Sequence, residues 1–251
     1  MQHLIYYLLN KFFMNPIEKE IVKYLDNKYL IVFDVGCFRG TFTKRLINCG
    51  YKFGIKFNFF LFDPNPNVKS YLSTLLENEK IKYFDLALDN SNSHKKFYLN
   101  NFFEPSGSSL STLILDDKKW VKTRKFFMKI FQPFKKIRDF SEILVDTRTI
   151  DSFCEENKIN YIDLLKVDAE GNEKNILLGS EKFLKTRKIH AIYVEIAETK
   201  KNYDIKKDFI QKYLREYNFE LKFSLPIRSF SFLSNLKATD NLFINKDFKP
   251  I

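Results

Sequence analysis

The stretch IVFDVGCFRGTF, residues 31–42, sets a pattern that later parts of the chain repeat. A run of β-branched and aromatic residues ends in Asp34, and Gly36 and Gly40 precede a segment with helical spacing. β-Branched and aromatic residues favour strands, and glycine permits a sharp turn between a strand and a helix. A strand that ends in an acid and then turns through glycine into a helix is typical of a nucleotide-like ligand site at the carboxyl edge of a parallel sheet.

Strand and helix patterns alternate along the rest of the chain. The predicted strands are 29–35, 56–63, 81–88, 161–168, 189–196, 219–224 and 239–245, with a short extension at 94–100 and irregular structure over 100–147. The predicted helices are 40–49, 67–78, 149–158, 172–184 and 204–217. Strands separated by helices form mostly parallel sheets, whereas the last two strands have no helix between them and predict an antiparallel addition at one edge. The sequence therefore predicts an α/β fold: a Rossmann-like domain with a mostly parallel seven-stranded sheet, an antiparallel C-terminal edge strand and helices on both faces.

Length and composition are those of one globular domain. The 251 residues are 45% apolar and 29% charged, which excludes a disordered chain. Residues 1–28 are predicted to be an N-terminal helical segment, in which LIYYLL (4–9) is too short to span a bilayer. Residues 29–251 are predicted to be the main domain, with an insertion or lid at 113–140.

Charge and cysteine content bear on partners and compartment. The net charge of +11 fits a nucleic-acid or membrane-surface partner, but it also fits the lysine-rich composition that an A/T-rich coding sequence produces. Cys37, Cys49 and Cys154 are scattered and lack metal spacing, so a reducing, cytoplasmic compartment is expected. The oligomeric state is left open.

The glycine pattern narrows the range of ligands that the turn could bind. Gly36 and Gly40 are four residues apart, and the pattern lacks the middle glycine that lets a dinucleotide pyrophosphate approach the backbone. No Gly-Lys-Ser/Thr follows, which excludes a Walker motif. Asp63, at the end of the second predicted strand, is placed to accept both hydroxyls of a ribose, and residues 85–88 are placed to frame an adenine.

S-adenosylmethionine fits these features, because it carries an adenosine and a charged amino-acid tail but no diphosphate. The residues predicted to bind it are Asp34, Gly36, Cys37, Phe38, Gly40, Thr41, Asp63, Pro64, Asp85, Leu86 and Ala87.

A second group of acids follows the fourth predicted strand. Asp168, Glu170 and Glu173 lie within six residues of one another, around Gly171. Carboxylates crowded at a strand end raise at least one pKa, which suits a proton acceptor. The same acids would also suit the start of a helix, where negative charge is favoured.

At this point the chain resembles the FkbM family of S-adenosylmethionine-dependent methyltransferases, over about residues 31–245. The matching blocks are FDVGCFRG, LFDPNP, LALDN, SGSSLST, VDTRTIDSF, IDLLKVDAEGNEKNILLGS, IYVEI and DNLFINK. The resemblance implies methyl transfer to a hydroxyl, commonly of a sugar or polyketide. Asp63 stands where the family usually has glutamate, which shortens its reach to the ribose by one methylene.

The chemistry predicts a carboxylate base. The methyl group is already activated, so the protein has to align the acceptor, exclude water and accept the hydroxyl proton. Asp168, Glu170 and Glu195 are the candidates. The acids could also hold Mg²⁺, but we prefer a metal-free base, and no set of His and Cys residues predicts a metal site.

The stretch KKWVKTRKFFMKIFQPFKKIR, residues 118–138, is expected on the acceptor side. It contains nine basic residues, five aromatic residues and no acid. It could contact an anionic glycan, a nucleotide sugar, a lipid headgroup or RNA, or it could be an amphipathic helix packed on the core. An RNA ribose 2′-O-methyltransferase is therefore the alternative to a sugar O-methyltransferase. A nucleic-acid partner is not favoured, and peripheral membrane contact stays open.

Overall fold

The structure is a computed structural model of the 251-residue chain, in which residues 17–25, 27–100, 108–113, 121–122, 126, 140–227 and 235–248 are described. A seven-stranded sheet forms the centre, helices cover both of its faces, and a three-stranded sheet lies beside it. Within the described ranges, no helix has the length and apolar character needed to cross a bilayer.

Ten strands build the two sheets. They are β1 (Tyr29–Val35), β2 (Lys56–Phe62), β3 (Ile81–Phe84), β4 (Ala87–Leu88), β5 (Ser93–Asn100), β6 (Phe140–Arg148), β7 (Ile162–Val167), β8 (Ile189–Thr199), β9 (Phe219–Pro226) and β10 (Leu236–Asn245). The large sheet has the order β3-β2-β1-β7-β8-β10-β9. In this sheet β3, β2, β1, β7 and β8 are parallel to one another, and β10 is antiparallel to both of its neighbours. The predicted fold is confirmed, with β10 inserted between β8 and the edge strand β9.

The strand order places a crevice between β1 and β7. From β1 the chain adds β2 and β3 on one side, and it later returns to add β7 and β8 on the other. Ligands of doubly wound sheets bind at such a switch point, outside the carboxyl ends of the strands. We call this side of the sheet the carboxyl edge and the opposite side the amino edge.

Eight helices are described. They are α1 (Ile17–Lys23), α2 (Thr41–Tyr51), α3 (Val68–Tyr71), α4 (Ser73–Leu76), α5 (Ile150–Glu156), α6 (Glu173–Leu178), α7 (Glu181–Lys185) and α8 (Tyr203–Glu216). Helices α1 to α4 pack on one face of the large sheet and α5 to α8 on the other. Because both faces are covered, neighbouring residues of β1 such as Val32 and Phe33 are both fully buried.

The small sheet corrects two of the predicted elements. The predicted strand 81–88 is two strands, because the chain leaves the large sheet at the exposed Asp85 and β4 then pairs with β6. Residues 140–148 are not irregular as predicted but form β6, which is antiparallel to β5. The pattern of β6 was missed because one of its faces is exposed and its partner lies 40 residues or more away in the chain.

Two predicted helices are broken. The predicted helix 172–184 is interrupted at Gly179, where an added Cβ would lie 2.0 Å from the backbone oxygen of Asp89. The close approach of these two segments ends α6 and restarts the chain as α7. The predicted helix 67–78 is likewise divided into α3 and α4.

Part of the N-terminal prediction lies outside the described residues. The segment 4–9 belongs to this part. Helix α1 is described, and it packs against α2 through apolar contacts and an ion pair between Glu18 and Arg45, with Nε and Oε1 2.7 Å apart. Residues 17–25 therefore share a core with the large sheet.

Candidate cofactor and active site

An open crevice lies at the switch point, and its roughly 390 Å³ of empty space includes open solvent. Six of the predicted site residues line it: Gly36, Asp63, Pro64, Leu86, Ala87 and Asp168. The remaining wall comes from β1, β2, β4, β5, α6, the segment 108–110 and the turn after β7. The carboxyl ends of β1, β2 and β7 therefore meet around one space.

Gly36 is required by the close approach of two strands. Its φ is +73°, and an added Cβ would lie 1.8 Å from the backbone oxygen of Asp168. Gly36 N–H donates to the Phe62 oxygen at 2.9 Å, which ties the turn to β2. A side chain here would push β7 away from β1, so the glycine allows the two strands to lie close together at the bottom of the crevice.

The rest of the glycine turn leads into α2. Gly40 has a φ of +66° and precedes the first helical residue, Thr41. Phe38 has a φ of +45°, and the Arg39 guanidinium lies over its ring at 5.2 Å. Cys37 is buried, and burial, with the nearby carboxylates, raises its pKa well above the usual thiol value. These residues lie beside the cavity rather than in its wall.

Asp34 lies beneath the turn. Its side chain is fully buried, Oδ2 accepts a hydrogen bond from Thr43 Oγ1 at 2.7 Å, and Oδ1 lies 3.0 Å from Lys166 Nζ. Asp34 is not among the cavity-lining residues. The geometry gives this carboxylate a supporting position under the turn.

Lys166 is a residue that the sequence reasoning missed. Its ammonium is buried in β7, donates to the backbone oxygens of Val35 (3.2 Å) and Gly36 (2.9 Å), and lies 3.5 Å from Asp168 Oδ2. Burial lowers its pKa, but the charges of Asp34 and Asp168 outweigh burial, and the net shift is upward. The signal was a lone lysine in a strand buried on both faces, because such a lysine must be paired.

Asp63 lies at the end of β2 and is already bonded to the backbone. Oδ2 accepts from Phe38 N and Oδ1 from Asn65 N, both at 3.0 Å. Burial raises the pKa of Asp63 to about 6, partly offset by these two hydrogen bonds. Each carboxylate oxygen keeps a further acceptor position, because a carboxylate offers about four. Asp63 can thus hold the glycine turn and face a ligand at once.

The far wall of the cavity is formed by β4 and its neighbours. Leu86 and Ala87 line the cavity, whereas Asp85 is exposed outside it. Asn172 also lines the cavity, and its Nδ2 lies 3.3 Å from Oδ1 of the buried Asp89. The sequence reasoning did not single out Asn172, because asparagine near a helix start is common.

Residues 168–173, which we call the acidic turn, connect β7 to α6. Asp168 is partly exposed toward the cavity, and Glu170 takes a φ of +50°. Glu173 is fully buried and accepts from Gly171 N at 2.7 Å. Glu173 therefore has the structural role of a helix-start acid, while Asp168 faces the crevice.

Lys206 of α8 holds the outer side of the acidic turn. Its ammonium lies 2.6 Å from Glu173 Oε2 and donates to the oxygens of Gly171 (3.0 Å) and Ala197 (2.9 Å). The lysine is nearly buried, so this ion pair joins α8, β8 and the turn with little contact with water.

Glu195 extends the acids along the carboxyl edge. It lies opposite Asp240 in the β8–β10 pairing and retains some exposure. Burial raises the pKa of Glu195 well above its usual value, and the charges of Asp168 and Glu170 raise it further. Burial likewise raises the pKa of Asp240 to about 6, against a hydrogen bond from Tyr193. Asp240 was not predicted, because it belongs to a late strand.

Two expectations lie partly or wholly outside what the structure describes. Of the basic stretch 118–138, only residues 121, 122 and 126 are described. Among the described residues, no three His, Cys, Asp or Glu side chains are grouped so that they could hold a metal ion. The acceptor-side lid and the Mg²⁺ alternative therefore both remain predictions.

Fold and site together define a class: a doubly wound α/β domain with an open crevice at its carboxyl edge and carboxylates beside it. Residues 34–221 match the family described as Methyltransferase FkbM domain. The chain belongs to this family and is an S-adenosylmethionine-dependent methyltransferase. The predicted family and enzyme class are confirmed.

Two known proteins show how far the similarity extends. The chain is 24% identical over 184 residues to the 2-O-methyltransferase NoeI of Sinorhizobium fredii (strain NBRC 101917 / NGR234). This alignment covers 70% of this chain and 68% of that protein. The crystal structure of Methyltransferase FkbM from Methylobacillus flagellatus KT aligns with a TM-score of 0.50 and 14% identity. That alignment covers 86% of this chain but 44% of the other, so the chain spans less than half the length of that relative. The structural likeness supports the fold.

Proposed function

We propose that the protein transfers a methyl group from S-adenosylmethionine to a hydroxyl of a sugar, glycan or related small molecule. The observation that carries the proposal is the position of Asp168, which directly follows β7 and lies in the wall of the crevice, with Glu195 on the neighbouring strand. The name of NoeI, a 2-O-methyltransferase, supports oxygen as the acceptor atom.

The crevice fits the methyl donor. S-adenosylmethionine supplies an activated methyl group when it is bound. Asp63 has free acceptor positions at the end of β2 for two ribose hydroxyls. Leu86 and Ala87 offer an apolar wall for the adenine ring. The turn from Gly36 to Gly40 brings backbone close to the ligand without a phosphate cradle, which matches a donor that carries no phosphate.

The acids beside the crevice supply the proton acceptor. Asp168 is the proposed base, because it lines the cavity and is oriented by the Lys166 ammonium 3.5 Å away. Glu195 is the alternative, since its raised pKa strengthens it as a base in its ionised form. Glu170 is the third candidate, because it follows Asp168 by two residues in the acidic turn, where its backbone is left-handed.

A transfer assay tests the proposal. The protein is incubated with cofactor labelled in its methyl group and with neutral glycans, nucleotide sugars and RNA in parallel, and mass spectrometry locates the label. We expect label on a glycan or sugar hydroxyl. Label on RNA ribose would support the alternative function, and label on nitrogen would contradict O-methylation.

Variants of the three acids then identify the base. Loss of a general base lowers kcat by about 10²–10⁴-fold and leaves cofactor affinity largely intact. We expect this for Asp168→Asn, with a smaller loss for Glu195→Gln and Glu170→Gln. Turnover that is near normal in Asp168→Asn and falls in Glu195→Gln would move the assignment to Glu195. The assays are repeated with a chelator, and activity that chelation abolishes and added Mg²⁺ restores would show a metal-assisted reaction instead.

A further inference from the structure

Three large aromatic side chains are exposed at the amino edge of the sheet, opposite the crevice. Tyr51 is 85% exposed, Phe53 55% and Tyr29 67%. Tyr51 and Phe53 lie where α2 ends and the chain turns toward β2, and Tyr29 begins β1. Exposure of tyrosine and phenylalanine rings to water is unfavourable, so three of them at one site indicate a surface that contacts a partner.

Three lysines lie among these rings. They are Lys28, Lys52 and Lys56, and each is exposed. We call these three lysines and three rings the amino-edge patch. The patch thus combines three apolar rings with three positive charges.

The patch is continuous in space. Tyr29 is the register partner of Lys56 in the β1–β2 pairing, and the Lys56 ammonium lies 5.5 Å from the Tyr29 ring centroid. Lys56 N donates to the Lys28 oxygen at 2.8 Å. The turn that carries Tyr51 and Phe53 returns through a hydrogen bond from Ile55 N to the Gly50 oxygen at 3.0 Å and leads directly into Lys56.

We propose that the amino-edge patch docks the protein on the surface of a bilayer that contains anionic lipids. Exposed Tyr and Phe rings enter the boundary between headgroups and acyl chains, and lysines beside them reach lipid phosphates. The charge of the patch is complementary to an anionic headgroup layer. Two of the rings lie on an exposed turn and the third at a strand start, so all three are accessible to a lipid surface.

The position of the patch has a consequence for the acceptor. The crevice opens at the carboxyl edge, so docking through the amino edge turns the crevice away from the bilayer. The acceptor is then a molecule that stands off from the surface or arrives from solution, rather than a lipid headgroup in the same leaflet. This consequence rests on the proposed function, whereas the docking does not.

Vesicle binding by the full chain tests the docking. Sedimentation with vesicles of phosphatidylglycerol and phosphatidylcholine is compared with sedimentation with phosphatidylcholine alone, and no methyl acceptor is needed. We expect binding to the anionic vesicles only. The double variant Tyr51→Ser/Phe53→Ser should bind roughly tenfold more weakly, because two rings no longer insert.

Matched controls separate the patch from the general charge of the protein. Leu144 and Ile205 are 73% and 71% exposed outside the patch, so Leu144→Ser/Ile205→Ser removes comparable apolar surface. Lys28, Lys52 and Lys56 are replaced by Gln in one variant, and the exposed Lys69, Lys201 and Lys212 in another. Only the two patch variants should bind vesicles more weakly, with cofactor affinity unchanged in all four.

Other results would overturn the proposal. Equal losses in patch and control variants would assign binding to net charge alone. Vesicle binding that survives both patch variants would place the contact elsewhere. The wild-type protein could instead fail to bind anionic vesicles and form a dimer that Tyr51→Ser/Phe53→Ser disrupts. That result would show that the rings contact a second copy of the chain.

Discussion

A buried lysine, Lys166, and a nearly buried one, Lys206, hold the two sides of the acidic turn, and their partners differ. Lys166 lies on the crevice side and contacts two carboxylates and two backbone oxygens at the ends of β1 and β7. Lys206 lies on the outer side and contacts Glu173 together with the oxygens of Gly171 and Ala197. The partners of Lys166 surround the ligand crevice, whereas those of Lys206 join secondary structure elements.

The difference predicts how the two sides divide stability and function. Breaking either ion pair leaves a buried carboxylate without its counter-ion, which is strongly destabilising. Only the crevice-side pair also fixes the carbonyl of Gly36 and orients Asp168. The outer side should therefore affect folding alone, and the crevice side both folding and ligand binding.

The largest effect is expected for Lys166→Met. The free energy of unfolding should fall by about 3–5 kcal/mol, because Asp34 stays buried without a counter-ion. Cofactor affinity should also fall by about tenfold, equal to about 1.4 kcal/mol, because the turn at Gly36 loses its donor. Urea unfolding and calorimetry with the cofactor measure the two effects.

A compensated variant serves as its control. Asp34→Asn/Lys166→Met removes both buried charges, so most of the stability should return while the affinity loss remains. If affinity returned together with stability, the crevice-side lysine would have only a folding role, and the contrast with Lys206 would disappear.

Lys206→Met should match that stability loss without the loss of binding. About 3–5 kcal/mol of unfolding free energy is expected to be lost, because Glu173 is fully buried. The dissociation constant of the cofactor, measured at a temperature where the variant is folded, should stay at the wild-type value. Lys212→Met on the same helix is the control, and as an exposed change it should stay within about 0.5 kcal/mol. A weakened cofactor complex in Lys206→Met would show that the outer side reaches the crevice.

Asp63→Ala should weaken cofactor binding by about 1.5–3 kcal/mol, the range for hydrogen bonds to a charged group. Because Asp63 also accepts from Phe38 N and Asn65 N, the loss could arise in the turn rather than at the ribose. Comparison of the demethylated product with its 2′-deoxy analogue separates the two. The wild type should prefer the ribose form, and the variant should lose that preference. A preference that persists in Asp63→Ala would place the ribose contact elsewhere.

The same contrast shows what the sequence could predict. The sequence predicts the crevice side from residues whose type and position both carry information: Asp34, Gly36 and Asp63 each lie at, or directly after, the end of an apolar strand. The parallel sheet followed from the alternation of periodicities, which is a local property. The small sheet was not predicted, because the pairing of β5 with β6 is non-local and one face of β6 is exposed.

The supporting contacts were out of reach for a related reason. Lys166 and Lys206 are separated by 40 positions, and each meets its partners only after the sheet has formed. The lysine-rich composition hides such residues among many solvated ones. Burial on both faces of β7 distinguishes Lys166, and that burial depends on helices from distant parts of the chain.

The smallest effect concerns Asp240, which continues the crevice-side acids onto β10. Burial raises its pKa from 3.8 to about 6; the Asp168 charge acts in the same direction, and the Tyr193 hydrogen bond, Lys166 and Arg45 oppose it. The unfolded chain therefore releases the Asp240 proton first, so this group lowers stability as the pH rises from about 4 to 6, and the penalty stays constant above that range.

Asp240→Asn removes this titration. The variant should be more stable than the wild type at pH 7 by an amount on the order of 1–2 kcal/mol, and the gain should vanish near pH 4. The Asp240 charge also contributes to the raised pKa of Glu195, so the variant should lower that pKa and extend activity to lower pH if Glu195 takes part in catalysis. Urea unfolding at several pH values and a pH profile of kcat measure the two effects. A stability gain without any change in the pH profile would leave Asp168 as the base and place Glu195, like Glu173, on the structural side of the comparison.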